Sequence, residues 1–70
     1  MYDDPKQKIL MTIENFVTEE LQIQDKYEKA IELANEAGFS EVAMGLMQMM
    51  IDAKNHKDAL ELMILGVKFE

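Results

Sequence analysis

Between Pro5 and Gly66 the chain has a single place where a helix is bound to stop, the run Ala37-Gly38-Phe39-Ser40. Gly38 suits the left-handed residue that ends a helix, and Ser40 suits an N-cap, with Glu41 favourably placed in the next first turn. At the other end, Pro5 fits a first helical turn and Asp3 or Asp4 can cap it. Gly45 is only a weak spot, costing about 1 kcal/mol against Ala. The expectation is helix 1 over about 6–37, a turn at 38–40 and helix 2 over about 41–65. So short a connection makes the helices antiparallel neighbours.

The apolar residues step by alternating threes and fours. In helix 1 the expected seam is Leu10, Ile13, Val17, Glu20, Gln24, Tyr27, Ile31 and Ala34. In helix 2 it is Val42, Leu46, Met49, Ala53, His56, Leu60, Met63 and Val67. Phe16, Ile23 and Ala30 widen the first stripe, and Ala43, Met50 and Ile64 the second. Stripes this wide suit helices with two neighbours each. A hairpin of 70 residues offers one seam only. Chains this small usually need disulfides, metals or association, and with no cysteine, disulfides and thiolate sites are excluded. The fold class is therefore all-α, an antiparallel two-helix hairpin that dimerises into a four-helix bundle.

Charge narrows the partners. The net charge is −7 and the pI near 4.5, which argues against nucleic acid and against anionic membrane surfaces. No apolar run approaches the ~18 residues needed to cross a bilayer. The acidic start is not that of a signal peptide, so a cytoplasmic protein is expected. Glu14, Glu19, Glu28, Glu32 and Glu36, mixed with Lys26 and Lys29, read as a solvated face. Met44, Met47, Met49 and Met50 read as pliable core filler rather than copper or haem ligands.

Three polar residues interrupt the seams: Glu20, Gln24 and His56. Antiparallel partners across the turn should have numbers adding to about 77, since both helices rise equally per residue. That sets Glu20 level with His56 or Lys57, and Gln24 level with Ala53. A buried carboxylate and imidazole are costly unless paired or bound to metal. Two readings stand: an ion pair that fixes register, and a metal site shared by two copies.

The stretch Thr18-Glu19-Glu20-Leu21-Gln22-Ile23-Gln24-Asp25-Lys26-Tyr27 resembles the first metal-binding helix of ferritin-like proteins, especially bacterioferritins and rubrerythrins. In that family a ligand Glu is followed seven residues later by a Tyr near the metals, matching Glu20 and Tyr27. The run Tyr27-Glu28-Lys29-Ala30-Ile31-Glu32-Leu33-Ala34 is similar to rubrerythrin sequence. The family's second helix carries Glu-x-x-His. Here His56 matches the His and Lys54 a Lys common inside that motif, but the Glu position is Ala53. Asp52 lies about 100° away around the helix and is not expected to substitute. The resemblance covers about 12–65, one hairpin, as in half-length relatives such as encapsulated ferritins.

The resemblance implies a ferritin-like metal-binding protein, a homodimer or higher homo-oligomer, within a larger shell or with a partner protein. Its reduced iron site would have Glu20 and His56 as ligands, Tyr27 and Gln24 beside them and Ala53 as a vacant ligand position, with weak or no iron oxidation. Haem is not expected, because the haem-ligating Met of such relatives falls at Lys54. The rival expectation is a metal-free structural or interaction bundle, with Glu20 and His56 setting register. A weaker third is an adaptor giving its apolar stripe to another protein.

Overall fold

The computed structural model describes residues 4–69, and the Asp3 cap and the rest of the first three residues lie outside that range. The described residues form two helices, α1 (Pro5–Glu36) and α2 (Ser40–Lys68), packed as one antiparallel hairpin. No helix is long and apolar enough to cross a membrane among the described residues.

Local chemistry sets the ends. Asp4 caps α1: its Oδ1 accepts from the Lys6 backbone N–H at 3.0 Å, and Pro5 follows in the first turn. A side-chain cap of this kind stabilises a helix by about 1 kcal/mol. At the far end the Phe39 N–H donates to the Ala34 carbonyl at 2.8 Å and the Gly38 N–H to that of Asn35 at 3.1 Å. This is the paired closure of a Schellman turn, and it needs the left-handed φ of +83° that Gly38 adopts.

Two expected boundaries are corrected. Ser40 is the first helical residue of α2, and Phe39 takes the cap position without a side-chain acceptor. The Schellman closure uses up Gly38 and Phe39, so α2 restarts at once. At its other end α2 runs to Lys68, past Leu65. Gly66 costs about 1 kcal/mol in a helix, and the half-buried Val67 beyond it holds the last turn on α1.

The seam of α1 falls where the sequence put it. Leu10, Ile13 and Ala34 are buried, and Val17, Glu20, Gln24, Tyr27, Ala30 and Ile31 half-buried. Half of the expected seam of α2 holds, at Leu46, Ala53, Leu60 and Val67, and the other half is shifted around the helix. Ala43, Leu46, Met50, Ala53, Lys57, Leu60, Ile64 and Val67 face α1, while Val42, Met49, His56 and Met63 are exposed. The physical reason is the turn. Each seam position of α1 finds its α2 counterpart at a number adding to about 77, from Ala34 on Ala43 to Leu10 on Val67. The short connection thus dictates which of two adjacent apolar residues, such as Val42 or Ala43, turns inward.

The hairpin is a single layer, with extents of 55 × 22 × 10 Å. Its core is correspondingly slight: among the described residues five apolar ones are buried, two of them alanines of α2. Phe16, Ile23, Met49 and Met63 remain exposed.

Candidate site: a polar waist on an open groove

The eight facing layers are not alike. Three near the turn and three at the far end are apolar. Between them lie Gln24 level with Ala53, and Glu20 level with Lys57. This waist sits at mid-height on one open side of the hairpin.

Glu20 is half-buried, its side chain 22% exposed, and its Oε1 lies 3.8 Å from Nδ1 of His56. That is ion-pair range when the imidazole is protonated, and too long for a hydrogen bond. His56 is 68% exposed. It reaches the carboxylate from the flank of α2 rather than from the seam where the sequence placed it. The residue that faces α1 at this level is Lys57, and its amine turns along its own helix. Its Nζ donates to Glu61 at 2.8 Å and lies 3.5 Å from Asp58. The hydrogen bond to Glu61 is the main reason that the Lys57 amine is held above the ordinary lysine value. Glu20 therefore keeps a carboxylate edge toward the open side.

Gln24 carries the one unsatisfied buried side-chain atom found among the described residues, its Nε2. Across from it stands Ala53, 4% exposed, with no polar atom to offer. A buried amide N–H without an acceptor costs about 1–3 kcal/mol.

Two adjoining grooves share Glu20 and His56. One is lined by Glu20, Ile23, Tyr27, Met49, Asp52, Ala53 and His56. The other is lined by Phe16, Glu19, Glu20, His56, Ala59, Leu60 and Met63. The structure thus brings Glu20, Tyr27, Ala53 and His56 to one groove. Asp52, set aside on the sequence, joins them there, oriented by a hydrogen bond of 3.2 Å donated by Gln48 Nε2. The missed signal was its spacing of four from His56, which places both on one helix face. Even so, no three His, Asp or Glu side chains among the described residues are gathered closely enough to hold a metal ion. No family model, curated protein or solved structure matches the chain.

Proposed function

We propose that this chain works as a self-associating helical module, half of a four-helix bundle that a second copy completes. The observation that supports this reading is the open side of the hairpin. Phe16, Ile23, Met49 and Met63 are exposed on the grooves beside the seam. A monomer with five buried apolar residues gains little from folding, since each fully buried large side chain contributes about 1.5–3 kcal/mol against a large chain entropy. Covering the open side supplies the missing burial. Folding and association are then one process, and the melting temperature should rise with protein concentration. Sedimentation equilibrium and melts over a wide concentration range test this. A monomer that melts at one temperature throughout would refute it.

A second reading is favoured by one further observation, the presence of Glu20, Asp52 and His56 around a single groove. In a two-fold bundle these residues occur twice in neighbouring layers. Oxygen and nitrogen donors of this kind suit a divalent ion such as ferrous iron or zinc. That makes the module a ferritin-like metal-binding bundle with a reduced site. Calorimetric titration should then find one weak ion per dimer that His56→Ala removes. Equal binding by the variant and the parent would sink this reading while leaving the module intact.

A further inference from the structure

We infer that the second copy lies antiparallel on the first, α1 on its partner's α1 and α2 on its partner's α2, with the two turns at opposite ends. This rests on the self-association proposed above and specifies its geometry.

The open side of α2 carries two neighbouring stripes with a seven-residue repeat. One is Val42, Met49, His56 and Met63; the next around the helix is Gly45, Asp52, Ala59 and Gly66. The two glycines have no reason within the hairpin. Neither has a positive φ, and a Cβ on either would meet nothing within 4 Å. Both weaken the helix that carries them.

Laying α2 antiparallel on a copy of itself, with the two-fold axis level with Lys54, explains them. Met49 then falls opposite the partner's Ala59, and Met63 opposite the partner's Gly45. Val42 meets the partner's Gly66, and His56 meets the partner's Asp52. Every large side chain finds a small one, and the imidazole finds a carboxylate. The stripe of α1 pairs about an axis level with Ile23, where the two copies of Ile23 meet. Phe16 covers the partner's Ala30, and Glu19 falls within one residue, about 1.5 Å, of the level of the partner's Lys26, within reach of its amine. Ile23 and Lys54 stand level across the hairpin, so a single two-fold axis serves both helices, as a closed dimer requires. The other two-fold arrangement has both turns at one end and α1 on the partner's α2. The area suffices: a face of 55 × 22 Å exceeds the roughly 800 Å² per partner of a standard stable interface.

The chain has no cysteine, so a spin label at Glu36→Cys, exposed beside the turn, reports the arrangement directly. In the dimer, labels at opposite ends stand about 40 Å apart or more along the bundle. Turns at one end would bring them to roughly 20–30 Å, across two or three helix diameters. The short distance overturns this arrangement and leaves self-association standing. No dipolar coupling at any concentration overturns both. Charge reversal gives an independent check. Lys26→Glu should weaken the dimer about tenfold, and adding Glu19→Lys in the same chain should recover most of that. A double variant no tighter than the single one rejects the Glu19–Lys26 contact and with it the α1-on-α1 pairing.

Discussion

Ile13→Asp is expected to leave the chain without measurable helical structure in far-ultraviolet circular dichroism. Ile13 is among the few buried side chains, 7% exposed and level with Ile64. The substitution removes about 2–3 kcal/mol of apolar burial. It also places a carboxylate in a dry layer, at several kcal/mol more unless the chain opens. A small domain has a total stability of only about 5–15 kcal/mol, and in the proposed dimer each copy would carry the change. Ile13→Val is the control: it removes one methylene, should cost about 1 kcal/mol, and should keep the helices. Full helicity in the Asp variant would show that this seam is not closed to water.

Ala53→Glu should have an effect of similar size and opposite responses with and without metal. Position 53 is 4% exposed and shares a groove with Glu20. Without metal the new carboxylate is desolvated and repelled by Glu20, and two copies crowd four carboxylates into adjoining layers. The orphan Nε2 of Gln24 can donate to one oxygen and offset part of this. The melting temperature should therefore fall, and fall further than in Ala53→Gln, which adds the bulk without the charge. Ferrous iron should reverse the loss. Four carboxylates and two imidazoles are the ligand set of di-iron bundles, so about two ions per dimer are expected, with a gain in oxygen-dependent oxidation. Binding confined to the folded dimer would restore about 2.7 kcal/mol at a hundredfold excess over Kd. A folded dimeric Ala53→Glu protein that takes up no more iron than its parent would end the metal-binding reading.

The hairpin was legible in the sequence because one element did most of the specifying. Gly38 marks the break, and no residue of α1 after Pro5 competes with the helix. The phase of α1 was clearer, since Ile13 stands between Thr12 and Glu14, and Val17 and Ile31 are each followed by a polar residue. The phase of α2 was less clear. It is rich in apolar residues that stand side by side, Val42 with Ala43, Met49 with Met50 and Met63 with Ile64. Hydrophobicity alone cannot choose between the members of such pairs. Reflecting the α1 seam through the turn does choose, and it selects the members that the structure buries. The same rotation carries His56 out of the seam and brings Lys57 in. It also brings Asp52 onto the groove, because a residue beside the seam lines the open flank that His56 occupies.

The turn has a further consequence for how the hairpin assembles. Contacts reflected through a fixed turn are nested, each layer enclosing those nearer Gly38. Once the layer of Ala34 and Ala43 has closed, every later one adds only a few residues of new loop, and the entropy of closing it is small. Structure should therefore spread outward from the turn as in a zipper. The waist of Gln24, Ala53, Glu20 and Lys57 is a stretch of weak teeth in the middle. Beyond it, the block of Val17, Ile13 and Leu10 on Leu60, Ile64 and Val67 must close again on its own apolar strength. The ends farthest from the turn are thus the last to form and the first to open, and they are held least by the chain itself.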